Sequence, residues 1–234
     1  MKLGIMQPYI FPYIGYFQLI NAVDKFVLYD NIQFTKKGWI NRNRILVNGA
    51  AEYFTIPLKK DSDYLNVVDR KLSDSFTEEK TKLLRKISGA YTKAPFFSEV
   101  FPVIESIFER KADNLFHFIH QALLDTCNLL DIKTEIIVSS AVDIDHRLKS
   151  QEKVLAICKT LQATQYFNPI GGVELYDKED FNANHIQLNF LQADAMEYPQ
   201  LKNEFVPWLS IIDVLMFNES IKIKEYIQSG YSIK

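Results

Sequence analysis

The feature that most constrains the fold of this chain is the segment Met6–Tyr16. Two prolines and four aromatic residues lie within its eleven positions. An apolar run at 3–6 leads into it, and an amphipathic run at 16–22 and a strand-like run at 25–30 follow. This order predicts strand, rigid loop, helix and strand, which is one βαβ unit. Such units form parallel sheets, and ligands bind in the loops at the carboxyl ends of the strands.

Two prolines and one glycine shape the loop of this unit. Pro8 and Pro12 restrict the backbone and push the residues before them, Gln7 and Phe11, toward extended conformations. Gly15 permits close backbone approach where the helix begins. The aromatic residues between them either fill the core, where aromatic side chains are common, or form a wall for a flat or sugar-like ligand. These aromatic residues are Tyr9, Phe11, Tyr13 and Tyr16.

The segment after the βαβ unit predicts a β-hairpin over residues 39–57. Asn48-Gly49 is a hairpin turn signal, and strand-like residues flank it on both sides. Alternation places Arg42 and Arg44 on one face. That face is either a solvated surface strand or an anion site, because arginine pairs bind phosphate or carboxylate in bidentate fashion. The neighbours that would join an anion site are Lys37, Trp39, Asn41 and Asn43.

The middle of the chain carries mostly helical patterns. A short strand is expected at 66–72, a helix at 77–87 and a long helix over 103–130. The helices together predict a helical insertion at about 73–131. His117 and His120 lie three apart in this stretch, but no carboxylate or cysteine joins them at ligand spacing, so we expect no metal site.

Strand and helix alternate again in the last hundred residues. A strand is expected at 135–139, a helix at 151–161 with Ser150 as its N-cap, and a strand at 165–167. The loop after the last of these contains Asn168, Gly171 and Gly172, where backbone N–H groups at the end of a strand can receive an anion. These patterns predict one α/β domain over residues 1–234, with a three-layer core.

An apolar helix predicted over residues 205–218 contains one acidic residue, Asp213. Buried apolar helices seldom carry an unpaired aspartate. We therefore expect Asp213 to cap or pair with another group, with the N-terminal loop as a candidate partner. The tail, residues 219–234, is predicted to be a surface helix.

Composition and charge exclude several classes of protein. The net charge is −2 and the isoelectric point about 6.1, so no bulk field attracts nucleic acid or an anionic membrane. No apolar run has the length of a transmembrane helix, and the first residues lack the pattern of a signal peptide. A cytoplasmic protein is therefore expected. Cys127 and Cys158 both lie in helical patterns and are expected to be reduced, packed thiols.

Four sequence blocks together resemble the WbqC-like family, and the resemblance spans nearly the whole chain. The blocks are QPYxFPYxGYFQLI at 7–20, GWINRNRI at 38–45, TIPL at 55–58 and LSIIDVL at 209–215. The family is found in bacterial gene clusters for O-antigen and other surface polysaccharides. The resemblance therefore implies a role in modifying an amino sugar by aminoacyl or acyl transfer. The loop at 168–172 reads NPIGG, which differs from the Ser-Gly-x-Gly type of relatives.

A second resemblance lies inside the first block. The order of strand, loop, helix and strand, with the motif Tyr13-x-Gly15-Tyr16 before the helix, is similar to the His-x-Gly-His arrangement of nucleotidylyltransferases and pantothenate synthetases. It implies a Rossmann-like nucleotide-binding layer. Both histidine positions are tyrosine here, and a neutral phenol brings a hydrogen-bond donor but no positive charge to a phosphate.

Three functions follow from these observations. The first is a transferase acting on a nucleotide-linked or lipid-linked amino sugar, with acyl-CoA or an aminoacyl donor. In it, His146 or Asp30 acts as the base, the backbone of Gly171-Gly172 donates to the oxyanion, and Gln7 binds hydroxyls. The second is a nucleotidylyltransferase-like enzyme that uses ATP and Mg²⁺. The third is a non-catalytic protein that binds a sugar or a partner through the aromatic loop.

Overall fold

The computed structural model describes residues 1–234. It contains eight strands: β1 Lys2–Met6, β2 Lys25–Leu28, β3 Arg42–Val47, β4 Ala50–Thr55, β5 Glu135–Val138, β6 Gln165–Pro169, β7 Gln187–Ala193 and β8 Tyr231–Ile233. It also contains eight α-helices: α1 Ile14–Asn21, α2 Phe76–Tyr91, α3 Phe97–Glu109, α4 Leu115–Leu129, α5 Ser150–Thr160, α6 Lys178–Ala183, α7 Ile211–Phe217 and α8 Ser220–Ser229. None of these helices combines the length and the apolar composition needed to span a lipid bilayer.

Six of the strands form one mostly parallel sheet in the order β5-β2-β1-β6-β7-β8. The first five are parallel to one another, and β8 runs antiparallel to β7. From β1 the chain moves outward to β2 and β5, and then returns to the other side of β1 at β6. The order therefore reverses between β1 and β6, which is the place where doubly wound sheets bind ligands. The predicted Rossmann-like α/β fold is confirmed.

Side chains alternate between the two faces of this sheet and meet helices on both. Leu3, Ile5 and Val27 pack with α5 and α6 in one apolar cluster. Phe26 and Leu28 point to the opposite face and join a second cluster that contains α1, α7 and α8. The apolar sides of α2, α3 and α4 belong to this second cluster as well. Helices thus cover both faces of the sheet, as a buried parallel sheet requires.

The predicted hairpin is present as β3 and β4, which pair with each other apart from the main sheet. Asn48 and Gly49 form the turn with φ of 51° and 80°, the positive values that a tight hairpin turn demands. Arg42 and Arg44 share the more exposed face of β3, while Asn43 on the other face is buried.

Two predicted helices are shorter or divided in the structure. The expected helix over 103–130 is two helices, because the Asn114 side chain accepts the His117 N–H at 3.0 Å and starts α4 anew. The expected helix over 205–218 is only α7, because the Ser210 hydroxyl caps it by accepting the Ile212 N–H at 3.3 Å. Trp208, just before this cap, has a φ of 59° and is not helical.

Three smaller predictions also differ from the structure. Ser150 is not an N-cap but the first residue of α5, with a φ of 46°. The expected strand at 66–72 is a short 3₁₀ helix, Val67–Asp69, flanked by isolated bridges. The tail is not one surface helix, because β8 follows α8 and pairs with β7. The differences at 66–72 and in the tail depend on pairing with segments remote in sequence.

Candidate active site

A cleft of about 570 Å³ lies at the carboxyl ends of β1 and β6, where the strand order reverses. Its walls come from the ends of both strands, the start of α5 and the 3₁₀ helix Ile170–Leu175. The sequence-predicted residues that line it are Gln7, Tyr9, Asn168, Gly171 and Gly172. Half of the sixteen lining residues are hydrophobic. This mixture of apolar walls and a few polar groups is typical of small-molecule sites.

One glycine of the 171–172 pair is required by close packing beneath the cleft. A Cβ on Gly172 would lie 2.2 Å from Asn168 Oδ1, whereas a Cβ on Gly171 would meet nothing within 4 Å. Asn168 is buried, and its Nδ2 donates to the Tyr166 hydroxyl at 2.7 Å. The loop is therefore held against the end of β6 at Gly172 and is open at Gly171.

The N-terminus of α5 opens into the same cleft through Ser150 and Gln151. No side chain caps this end of the helix, so its first N–H groups stay available to a ligand. The Gln151 side chain donates to Asp180 Oδ2 at 2.6 Å and accepts the Asp177 N–H, which links α5 to the start of α6. An uncapped helix N-terminus in a cleft favours an anionic group.

The aromatic loop is anchored through its own carbonyl groups. Asn43 Nδ2 donates to the carbonyls of Ile10 and Phe11 at 3.1 Å and 2.8 Å, and the Ser210 hydroxyl donates to Phe11 at 2.7 Å. These bonds hold Phe11 at a φ of 41°, a conformation that costs a non-glycine residue energy. Asn43 thus positions the loop from the hairpin, and Ser210 positions it from α7.

The structure divides the four aromatic residues of the loop into two pairs. Phe11 and Tyr16 are buried in the core; the Phe11 ring packs on Phe108, and the Tyr16 hydroxyl donates to the Gln7 carbonyl at 2.8 Å. Phe11 and Tyr16 therefore fill the core and do not form part of a ligand wall. Tyr9 and Tyr13 are half-buried and line pockets. Burial raises the pKa of both phenols, so they are neutral donors at pH 7.

Gly15 supports this arrangement from the start of α1. A Cβ at this position would lie 2.4 Å from the Tyr13 ring. The glycine therefore lets Tyr13 lie against the helix, as its predicted role in close approach requires.

A second pocket, of about 200 Å³, shares Tyr9 with the cleft. It is lined by Tyr9, Pro12, Tyr13, Trp39, Asn43, Arg44 and Trp208. The Arg44 guanidinium lies 5.5 Å from the centre of the Trp39 ring and donates to the Trp208 carbonyl at 3.2 Å. Arg44 Nε is buried without a hydrogen-bond partner. This pocket therefore offers aromatic faces and one cation with unused hydrogen-bonding capacity.

The remaining residues of the predicted anion site have other contacts. Arg42 donates to the Gly38 carbonyl at 3.0 Å and to the Lys37 carbonyl, and its guanidinium lies 4.7 Å from the centre of the Tyr53 ring. Asn41 is buried and donates to the Ile56 carbonyl at 2.8 Å. The Lys37 side chain is exposed. The two arginines were predicted to bind one anion together. Only Arg44 is placed to do so, because the Arg42 guanidinium already donates to backbone carbonyls.

The two candidate catalytic residues, Asp30 and His146, lie in one polar cluster beside the cleft. Asp30 Oδ1 accepts from the Ser139 hydroxyl at 2.8 Å and from the Ser140 N–H at 2.9 Å, and its Oδ2 is buried without a partner. Asn31 connects the cluster, since its Nδ2 lies 2.9 Å from His146 Nδ1. We name this set, Asp30, Asn31, Ser139, His146 and Lys153, the polar cluster.

Lys153 determines how the Asn31 amide is oriented. This buried ammonium lies 3.1 Å from Asn31 Oδ1 and has only donors, so the amide oxygen must face it. The amide N–H₂ then faces His146 Nδ1, and neutral His146 carries its hydrogen on Nε2. In this arrangement the exposed His146 ring presents a hydrogen-bond donor at its Nε2. Burial lowers the pKa of Lys153, and the charge of Asp30 partly opposes that shift.

The polar cluster is next to the cleft through Tyr29. The Lys153 ammonium lies 4.9 Å from the centre of the Tyr29 ring, and that ring lines the cleft. Burial raises the pKa of Tyr29 to about 12. Asp30 and Asn31 directly follow this residue at the end of β2, so cleft and cluster share one edge of the sheet.

Asp213 is a structural residue rather than a ligand contact. It is fully buried, its Oδ1 accepts from the Tyr198 hydroxyl and Gln200 Nε2 at 2.8 Å and 2.7 Å, and its Oδ2 accepts from the Tyr91 hydroxyl at 2.8 Å. The expectation that it pairs is confirmed, but Ser210 contacts the N-terminal loop in its place. Burial raises the pKa of Asp213 and these hydrogen bonds oppose the rise.

The histidines and cysteines of the chain form neither a metal centre nor a reactive thiol site. No group of three or more His, Cys, Asp or Glu side chains is arranged to hold a metal ion. The His120 ring stacks on Phe116 at 5.6 Å. Cys127 and Cys158 are free and buried, and burial raises the pKa of each thiol to about 12.

Comparison with known proteins finds a family model that covers most of the chain. The sequence model of the WbqC-like protein family matches residues 7–225. The chain belongs to the WbqC-like protein family. It is also 27% identical over 229 residues to the uncharacterized protein Rv1507c of Mycobacterium tuberculosis, with 97% of each chain covered. No solved structure matches the chain.

The region matched to the WbqC-like family contains several site residues that sequence reasoning missed. Trp208 closes the second pocket, Tyr176 lines the cleft, and Asn31, Ser139 and Lys153 complete the polar cluster. One local signal existed: Asn31 follows Asp30 at the end of a predicted strand. Lys153 gave none, because a lysine near the start of a helix is usually exposed.

Proposed function

We propose that this WbqC-like protein is a transferase that moves an acyl or aminoacyl group onto the amine of a nucleotide-linked amino sugar. The observation that carries the proposal is the meeting of two pockets at Tyr9. A transferase must hold donor and acceptor side by side, and most of its rate enhancement can come from that positioning. The setting in bacterial surface-polysaccharide synthesis rests on the family resemblance alone.

The chemistry of each pocket suggests what it holds. The cleft lies where doubly wound sheets bind nucleotides, and the free N–H groups at the start of α5 suit a diphosphate. The second pocket offers the Trp39 and Trp208 rings for stacking on a sugar or base, and Arg44 for an anionic group. The diphosphate is thus assigned to the helix N-terminus, and Arg44 alone of the arginine pair contacts the ligand.

The polar cluster supplies proton transfer in this proposal. The sugar amine attacks the carbonyl carbon of the donor, a C–N bond forms, and the bond from that carbon to the leaving group breaks. The amine proton is taken up by the polar cluster, whose buried acceptor is Asp30 Oδ2, an atom with no hydrogen-bond partner, and it then passes to the leaving group. His146, with its hydrogen on Nε2, donates to the developing oxyanion. Asn31 and Lys153 hold His146 in that tautomer.

The test combines binding and turnover on the purified protein. Isothermal titration with UDP-glucosamine measures binding, and mass spectrometry after addition of acetyl-CoA or an aminoacyl donor measures transfer. Arg44→Ala is expected to weaken binding about tenfold, whereas Arg42→Ala, whose guanidinium is held by backbone carbonyls, changes it less than twofold. His146→Gln is expected to keep binding and lose most of the transfer rate.

Other outcomes would replace the proposal. Binding without transfer from any donor supports a non-catalytic sugar-binding protein. Binding of ATP that requires Mg²⁺, with release of pyrophosphate, supports a nucleotidylyltransferase-like enzyme. Equal losses in Arg42→Ala and Arg44→Ala would contradict the assignment of the ligand to the second pocket.

A further inference from the structure

A third cavity, of about 280 Å³, lies at the end of β7 and is not used by the proposed reaction. Ten of its thirteen lining residues are hydrophobic. An engineered apolar cavity of about 150 Å³ is large enough to bind benzene. This cavity therefore has room for an apolar group of about a dozen non-hydrogen atoms. We name it the β7 cavity.

A hydrogen bond orders one wall of the β7 cavity and an aromatic contact orders another. The Tyr198 ring lines the cavity, while its hydroxyl is engaged by Asp213 at 2.8 Å. Trp208 forms the wall toward the second pocket, packed edge-on against Tyr13 with ring centres 6.0 Å apart. Trp208 has a φ of 59° and 59% of its surface exposed. A large ring held in a strained conformation over an open apolar cavity is typical of a binding wall.

The charged residues that line this cavity are all acidic. Asp194 and Glu197 are its only charged lining residues, and both are exposed. The Asp194 backbone is held at both ends, since its N–H donates to the Gly230 carbonyl at 3.0 Å and its carbonyl accepts from the Tyr226 hydroxyl at 2.6 Å. Its carboxylate takes part in neither bond. The second pocket across Trp208 carries the opposite charge, on Arg44.

We infer that the β7 cavity binds an organic amine, with an aromatic or branched aliphatic body among the apolar walls and a protonated amino group at Asp194 and Glu197. The apolar walls account for the body, and the two carboxylates account for the cation. An anionic ligand would be repelled by the two carboxylates, and a purely hydrocarbon ligand would make no use of them. The inference concerns a site beyond the proposed transfer reaction and does not depend on it.

Three probes of similar size test the sign of the charge. They are 2-phenylethylamine, 2-phenylethanol and 3-phenylpropionate, titrated without nucleotide sugar or acyl donor. The chain has two tryptophans, so Trp39→Phe leaves Trp208 as the only indole fluorophore to report binding. The amine is expected to bind about fivefold more tightly than the alcohol, the upper range for an exposed ion pair, and the anion more weakly than both.

Two variants separate the charge from the cavity. The double variant Asp194→Asn/Glu197→Gln is expected to lose the preference for the amine and keep its affinity for the alcohol within twofold. Ala195→Phe, on an exposed residue that lines the cavity, is expected to weaken all three probes by filling space. Asp143→Asn, an exposed acid outside the cavity, is the matched control.

Several results would overturn the inference. They are equal affinity for the three probes, a preference for the anion, an amine preference that persists in the double variant, or no binding of the amine at millimolar concentration. Because no transfer reaction is measured, a failed transferase assay with a preserved amine preference would refute only the proposed function. The reverse result would refute only this inference.

Discussion

Replacing Gly172 with alanine should destabilise the protein through one identifiable contact. The new Cβ would lie 2.2 Å from Asn168 Oδ1, far inside van der Waals distance. Asn168 is buried at the end of β6, and its Nδ2 donates to the buried Tyr166 hydroxyl at 2.7 Å. To make room, the Asn168 side chain must rotate away from Tyr166, or the loop must move out of the cleft.

The size of the effect follows from these two costs. Forcing an extra methyl group into packed structure costs about 1–3 kcal/mol. A lost hydrogen bond between buried neutral groups costs about 1 kcal/mol. Gly172→Ala should therefore lower the free energy of unfolding by about 2–4 kcal/mol. Gly171→Ala is the matched control, because its Cβ would meet nothing within 4 Å, and its effect should stay within about 1 kcal/mol.

Urea unfolding of four proteins measures this: wild type, Gly172→Ala, Asn168→Ala and the double variant. In the double variant the clashing oxygen is gone, so alanine at position 172 should cost less than about 0.5 kcal/mol relative to Asn168→Ala alone. The reasoning is refuted if Gly172→Ala is as stable as wild type. It is equally refuted if the cost of Gly172→Ala is unchanged by removal of the Asn168 side chain.

Three further predictions concern Trp208, Asp213 and Asn31. Trp208 has a φ of 59°, so Trp208→Gly should be more stable than Trp208→Ala by about 1 kcal/mol in urea unfolding; an equal stability would contradict the strain. Burial raises the pKa of Asp213 in the folded protein above the value of about 3.9 that an aspartate has in the unfolded chain. The Asp213 carboxyl therefore contributes most to the free energy of unfolding below that value, and this contribution is lost as the pH rises through the folded pKa. The free energy of unfolding of the wild type minus that of Asp213→Asn should therefore fall from pH 4 to pH 7. A difference that grows with pH would contradict a raised pKa of Asp213. Asn31→Leu should reduce transfer while UDP-glucosamine affinity, measured by titration, stays within twofold; a loss of both would mean that Asn31 contacts the ligand.

Several features of this protein could be predicted from neighbouring residues alone. The order of apolar runs and loops predicts the first βαβ unit, Asn48-Gly49 predicts the hairpin turn, and alternation on β3 places Arg42 and Arg44 on one face. These patterns depend on the φ and ψ preferences and side-chain periodicity of a few consecutive residues. The same blocks carry the family resemblance. The sequence therefore determined the α/β class and the edge of the sheet at which the candidate site lies.

Only the tertiary structure decided which of the predicted residues can meet a ligand. Arg42 and Arg44 look equivalent in the sequence, yet Arg42 is bound by the carbonyls of the preceding turn and Arg44 lies in a pocket closed by Trp208. Likewise Tyr16 is used by the core and Tyr13 is not. Burial and hydrogen bonding at one residue depend on what the rest of the chain brings to it.

The polar cluster shows this most directly. Asp30 and Ser139 are 109 residues apart, and Lys153 is 122 residues from Asn31, yet they share hydrogen bonds. A parallel sheet brings the ends of β2 and β5 together, and the start of α5 lies against them. No local pattern encodes such contacts, because they arise from strand order and from the helix that crosses over the sheet. The local sequence supplied the chemical groups, and the topology of the sheet brought them into one hydrogen-bonded cluster.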